Sequence, residues 1–235
     1  MAVSRRTDDS IPAVRLRGDA ETVLAALAGG GVAIVPLDVA YAVIGTSAAA
    51  IRSIFTAKER SYEKPSGMFG NLDLSREIHV LPPEKHEIAQ RIIEGHGLPF
   101  SIVADYRRDH PVMRAVDPFV LENSTKGNTL DMLVNAGALH NEIARQSAEQ
   151  GIAVFGSSAN RSLTGSRYRL ADIDPQVRAI AAVEIDHGAS KYANPEGRSS
   201  TIIDFRDFRV VRQGVCFDRL NAIFRDEFGV TLRLS

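Results

Sequence analysis

Val32-Ala33-Ile34-Val35-Pro36 is an unbroken apolar run, and it is followed by Leu37-Asp38-Val39-Ala40-Tyr41. A strand that is apolar on both faces belongs in the middle of a sheet covered on both sides. This run therefore predicts a central strand, and together with the elements around it, strands and helices that mix without the regular alternation of a doubly wound fold, it points to an α+β or mixed α/β domain. Upstream, Asp19 to Ala28 reads as a helix with Val23, Leu24 and Leu27 on one face, stopped by Gly29-Gly30-Gly31. Those glycines precede the strand. A phosphate-binding loop follows one, so they read as a helix stop and tight turn. Downstream, Ser47 caps a helix over residues 47–58 whose inner face is Ile51, Ile54 and Phe55.

Further elements follow from periodicity and punctuation. Gly67 to Gly70, Pro99 to Ala104, Thr129 to Val134, Ile152 to Phe155 and Val183 to Ile185 read as strands. Glu84 to Glu94, Ala138 to Gln150, Leu170 to Ala182 and Asp218 to Phe228 read as helices. Residues 201–205 and 208–212 form a hairpin around Asp207. Residues 105–128 read as irregular, with Arg107, Arg108, His110 and Arg114 forming either a solvated face or a lid over an anionic ligand. Residues 1–14 read as a flexible arm, and residues 15–235 as one domain.

Composition narrows the function classes. The chain has 235 residues, 44% apolar and 24% charged, ordinary values for a globular protein able to bury its own core. A net charge of −1 argues against binding nucleic acid through bulk charge. The single cysteine, Cys216, leaves no disulfide framework and reads as a buried strand residue in a reducing compartment. Met1 to Asp9 lacks an apolar signal core and no run reaches membrane-spanning length, so a cytoplasmic location and no membrane contact are expected. The six histidines show no metal-ligand spacing. Ser157-Ser158 lacks the glycine that a nucleophile elbow needs at position 160, which is Asn.

Three segments place small polar residues or cations at the ends of apolar strands: Lys58-Glu59-Arg60 with Lys64-Pro65 behind it, Ser157-Ser158-Ala159-Asn160-Arg161-Ser162, and Ser200-Thr201-Ile202-Ile203-Asp204 followed by Arg212-Gln213-Gly214. Such residues at strand ends suit a nucleotide or a carboxylate. In this order they resemble the YrdC/Sua5 family, over roughly residues 15 to 215. The family's Pro-Thr-Asp-Thr-x-Tyr-Gly-Leu is similar to Pro36-Leu37-Asp38-Val39-Ala40-Tyr41-Ala42-Val43, and its Lys-x-Arg to Lys58-Glu59-Arg60. Its Ser-Ala-Asn-x-Ser-Gly is similar to Ser158 to Leu163, and its Arg-x-Gly to Arg212-Gln213-Gly214.

The resemblance implies a single domain with a large twisted mixed sheet flanked by helices, and a threonylcarbamoyl-adenylate synthase. ATP, bicarbonate and L-threonine give a carbamoyl-adenylate and pyrophosphate for tRNA modification, with Mg²⁺ accompanying ATP and tRNA or tRNA-modification proteins as partners. It implies that Lys58 and Arg60 hold the substrate carboxylate and phosphates. Ser158, Asn160, Ser200, Arg212 and Lys64 contact the nucleotide, and Tyr41, Asp38 and Ser101 line the amino-acid side.

Departures fall in pocket motifs. Leu37 and Val39 replace both threonines, and Leu163 replaces a glycine. The Arg-Val-Pro strand end falls on Leu133-Val134-Asn135, so an arginine expected near the phosphate is missing. Two alternatives follow: a different amine or carbamoyl donor, or a non-enzymatic nucleotide- or double-stranded RNA-binding homologue.

Overall fold

A computed structural model describes residues 11–234. Most of the arm expected over 1–14 lies outside them. The first helix, α1, runs over Ala13–Ala28 and so begins before Asp19. β1 (Val32–Pro36) is buried at every position. It pairs antiparallel with β2 (Tyr41–Gly45) and parallel with β8 (Ala181–Glu184), which explains its continuous apolar run.

The sheet has 11 strands. In spatial order it runs β11 (Arg233–Leu234), β10 (Arg209–Arg212), β9 (Ile202–Asp204), β4 (Phe100–Asp105), β6 (Thr129–Val134), β3 (Gly67–Phe69), β7 (Phe155–Ser158), β2, β1, β8, and the short β5 (Thr125–Lys126) pairs with β6. Parallel and antiparallel pairs are mixed, as expected for the fold class: β4 runs antiparallel to β6 and parallel to β9.

One face carries the larger core. α2 (Ala48–Ala57), α3 (Leu72–Ile78), α4 (Pro83–Gln90) and α9 (Phe217–Phe228) bury Ile54, Phe55, Ile78, Ile88 and Phe224 with Val43, Met132 and Ile102 of the sheet and Phe205 just after β9. Ser47 caps α2 by accepting from the Ala50 N–H at 3.1 Å. On the opposite face, α1 and α7 (Ala138–Glu149) seal Ala33, Val35, Ile44, Phe69 and Val154 under Leu24, Leu27, Leu139 and Ile143. This second cover stops near the middle of the sheet. In β6 the core-facing Leu130, Met132 and Val134 are buried, whereas Thr129, Asp131 and Leu133 on the other face are only half-buried. That uncovered half of the face is the floor of the candidate site.

Three expectations need correction. Leu170 to Ala182 is not one helix. Asp174 caps a new four-residue helix, α8 (Pro175–Arg178), by accepting from the Gln176 N–H, and the preceding turn spans only Leu170–Asp172. Residues 105–128 fold into α5 (Pro111–Arg114), α6 (Pro118–Glu122) and β5, and Arg107 and Arg108 bind main-chain carbonyls of Glu77 and Gly127 instead of covering a ligand. Cys216 is not in a strand: it is half-buried at the N-terminus of α9 with φ 61°.

Candidate functional site

The chain after α2 turns sharply. Lys58 caps the helix, Glu59 takes φ 49°, and the Arg60 and Glu59 N–H groups bond the carbonyls of Phe55 and Thr56. This is a helix-ending motif with a left-handed residue where glycine is usual. The reversal sends three consecutive side chains to different places. Lys58 turns inward and is 1% exposed. Glu59 turns outward and pairs with Arg161. Arg60 enters a cavity of about 130 Å³.

Lys58 donates to the carbonyls of Ser158 and Asn160, so it anchors the loop at the end of β7 from beneath. Burial and the neighbouring Arg60 charge push its pKa down to about 7. The loop is also tied to itself: the Ser158 hydroxyl donates to Asn160 Oδ1 at 2.5 Å, and Asn160 Nδ2 donates to the Arg161 carbonyl at 2.6 Å. Asn160 is therefore engaged in shaping the loop. Ser158 lines the cavity, and so does Ser157, whose buried hydroxyl has no partner.

Arg60 donates to the carbonyls of Lys64 and Pro65 at 2.9 and 2.8 Å, which leaves the rest of its five-donor fork for the cavity. Burial and the Arg212 charge lower its pKa to about 10. Arg212 reaches the same cavity from β10 and donates to the Ser200 carbonyl at 2.8 and 3.0 Å and to the Ser200 hydroxyl at 3.0 Å. Loss of water around the guanidinium lowers its pKa too, although the residue as a whole is exposed. The Ser200 hydroxyl lies 3.4 Å from that of Ser101 on β4. Gly214 fixes this corner, because a Cβ there would lie 2.1 Å from the Ser199 carbonyl oxygen.

Of the sequence-predicted residues, Tyr41, Arg60, Ser101, Ser158, Ser200 and Arg212 line the cavity, and Lys58 and Asn160 adjoin it through the loop. Tyr41 offers its ring alone, since its hydroxyl donates to Asp186 Oδ1 at 2.7 Å and Gly188 O at 2.8 Å. Asp38 and Lys64 lie outside the lining. Asp38 faces Lys191 at 3.9 Å, and Lys64 is exposed and contributes its main-chain carbonyl to Arg60. The substituted positions Leu37, Val39 and Leu133 all line the cavity and make that wall apolar. Asn135 has φ 53°, a conformation closed to the proline of the resembled pattern.

Asp131 is the cavity residue that sequence reasoning missed. Burial pushes its carboxyl up to about 6, against the pull of Arg212, Ser101 and Arg60. Its signal was a charge in the middle of the apolar strand Leu130 to Val134. This carboxylate stands beside two guanidiniums, and no group of three or more His, Cys, Asp or Glu forms a metal cage among the described residues. The lining thus holds one carboxylate, and Mg²⁺ brought in with ATP would take its remaining ligands from phosphates and water.

Comparison with known proteins follows the same residues. The family model for Sua5, YciO and YrdC, described as telomere recombination, matches residues 25–214. No curated protein matches the sequence. Among solved structures, P. abyssi Sua5 complexed with L-threonine is 17% identical, with a TM-score of 0.69 over 96% of this chain and 60% of that one. E. coli YciO is 15% identical, with a TM-score of 0.64 over 85% of this chain and 90% of that one. Full-length HypF in its phosphate- and nucleotide-bound form is 13% identical, with a TM-score of 0.58 over 87% of this chain and 32% of that one. The chain thus spans about 60% of the length of Sua5. These likenesses show a shared fold. The family match, covering residues 25–214, takes in Lys58, Arg60, the Ser158 loop, Asp131 and Arg212, and the chain belongs to the Sua5/YciO/YrdC family.

Proposed function

We propose that this chain forms a carbamoyl-adenylate from ATP, bicarbonate and a small amino acid, for use in tRNA modification. The observation that carries this reading is the convergence of two guanidiniums, that of half-buried Arg60 and that of Arg212, on one cavity rimmed by Ser101, Ser158 and Ser200. Desolvation lowers the proton affinity of both arginines and the Arg212 charge lowers that of Arg60 further, so an anion between them is favoured. Relatives of the same fold carry L-threonine in one case and phosphate and nucleotide in another.

In this reading bicarbonate takes up a proton and loses water to give CO₂, which the neutral amine captures as a carbamate with release of a proton. A carbamate oxygen then bonds to the α-phosphorus as the bond to the departing pyrophosphate breaks. Such chemistry depends on positioning and charge neutralisation. Arg60 and Arg212 supply the charge. Lys58 holds the Ser158–Asn160 loop in place, and the serine hydroxyls orient the oxygens. The experiment is pyrophosphate release from ATP and bicarbonate across a panel of amino acids. Release that depends on one or more amino acids is expected, and its absence across the panel rules the reading out.

A second reading, an amine other than threonine, is favoured by the apolar wall of Leu37, Val39 and Leu133. The same panel separates the two.

A further inference from the structure

Asp131 is the one charged group of the cavity that neither the motifs nor the anion-binding reading uses. It sits on β6 between the core-facing Leu130 and Met132, on the same face as Leu133. Its Oδ1 is shielded from solvent and has no hydrogen-bond partner among the described residues. On the neighbouring strand β3, Gly67 lies so close that a Cβ there would touch Oδ2 at 3.4 Å, so the missing side chain leaves that side of the carboxylate uncovered. Asp131 is coupled to both Arg60 and Arg212, yet no ion pair within 4.0 Å joins it to either among the described residues. One carboxylate and two guanidiniums thus share a cavity of about 130 Å³ without touching. Space of that order holds a benzene-sized molecule.

A ligand with negative charge alone would leave the buried carboxylate unpaired and repelled, and one with positive charge alone would face two guanidiniums. A ligand with both signs completes the set. We propose that Asp131 is the specificity residue that receives the ammonium group of a zwitterionic α-amino acid whose carboxylate lies toward Arg60 and Arg212. The inference rests on the proposed function for the ligand class, and it goes beyond it by assigning the ammonium contact.

Calorimetry tests it with L-threonine and 3-hydroxybutyrate, which has the same skeleton without the amine, on the wild type and Asp131→Asn. The variant should bind threonine at least tenfold more weakly and bind 3-hydroxybutyrate as well as or better than the wild type. Equal weakening of both ligands would show that Asp131 acts only by orienting the arginines, and would overturn the assignment. So would unchanged threonine affinity, or failure of the wild type to bind threonine. Wild-type affinity for threonine should also fall as pH drops from 7 to 5, and the Asn variant should lack that fall. The groups facing Asp131 are Ser101, Arg60 and Arg212, none of which titrates in this interval; Lys58, beside Arg60, gains charge on acidification and would strengthen anion binding instead. Thermal unfolding at pH 7 controls for folding, because removing a carboxylate whose folded pKa is raised does not destabilise there. Threonine binding with this pattern but no pyrophosphate release would keep the ammonium site and reject adenylate formation.

Discussion

The ammonium of Lys58 is bonded to the main-chain carbonyl of Asn160, 102 residues further along the chain. With the matching bond to Ser158 it fastens the end of α2 to the loop that rims the cavity. Lys58→Met keeps the length of the side chain and removes both donors. Two carbonyls then lose a partner, and a loss of about 2–3 kcal/mol is expected, read as a melting temperature roughly 5–10 °C lower for a chain of this size. The loss should also depend on pH. The folded pKa is about 7, below the ordinary 10.5. Between these values the unfolded chain binds the extra proton, so wild-type stability rises with pH while that of the variant does not. The gap should be larger at pH 9 than at pH 6.5. A constant gap would mean that the buried amine keeps an ordinary pKa.

Leu163 carries φ 67° at 90% exposure, in the loop position where the family motif has glycine. A left-handed leucine costs roughly 1–2 kcal/mol, and its exposed side chain offers little packing in return. Leu163→Gly relieves the strain, less the added freedom of glycine in the unfolded chain. A net gain of about 0.5–1 kcal/mol is expected. Chemical denaturation of the two proteins measures it, and a destabilised variant would show that Leu163 makes a contact worth keeping.

Arg60 should carry a large share of nucleotide affinity. It is half-buried, shares the cavity with Arg212, and keeps donors free after binding Lys64 and Pro65. Losing a charge-assisted contact of this kind costs on the order of 2–3 kcal/mol. Calorimetry with ATP should therefore show Arg60→Ala binding about thirty- to a hundredfold more weakly. Equal affinities would remove Arg60 from the nucleotide site.

How much of this could be read from the residues depends on where each signal is decided. β1 was legible because burial on both faces leaves an unbroken apolar run. The Lys58, Ser158 and Arg212 segments were legible because helix and strand ends are marked by local chemistry. The 170–182 helix was misread because Asp174-Pro175 starts a new helix inside an otherwise apolar-periodic stretch. Asp131 was hidden for a different reason. Thr129 to Val134 alternates like a strand with one wet face, and only the sheet order shows that this face is the cavity floor. Asp38 sits next to the strand end that the motif marks, but the β1–β2 turn points it toward Lys191.

The wall made by Leu37, Val39 and Leu133 bears on substrate choice. A pocket that hydrogen-bonds the threonine hydroxyl rejects analogues without it strongly, because its own polar atoms would be left unpaired. Leu37 and Val39 stand where the family motif has threonines, and both are buried against the cavity. An apolar wall gains about as much from a methyl group as from a hydroxyl, so discrimination between threonine and valine or 2-aminobutyrate should be on the order of tenfold. Ser101 and Ser200 are hydroxyls of the lining on the Asp131 side, and the Ser200 oxygen already accepts from Arg212 while keeping its own proton to donate. The measurement is the relative rate of adenylate formation with each amino acid. A preference for threonine of about a thousandfold or more would mean that Ser101 or the Ser157–Ser158 edge rebuilds the hydroxyl contact, and Ser101→Ala and Ser157→Ala would then show which.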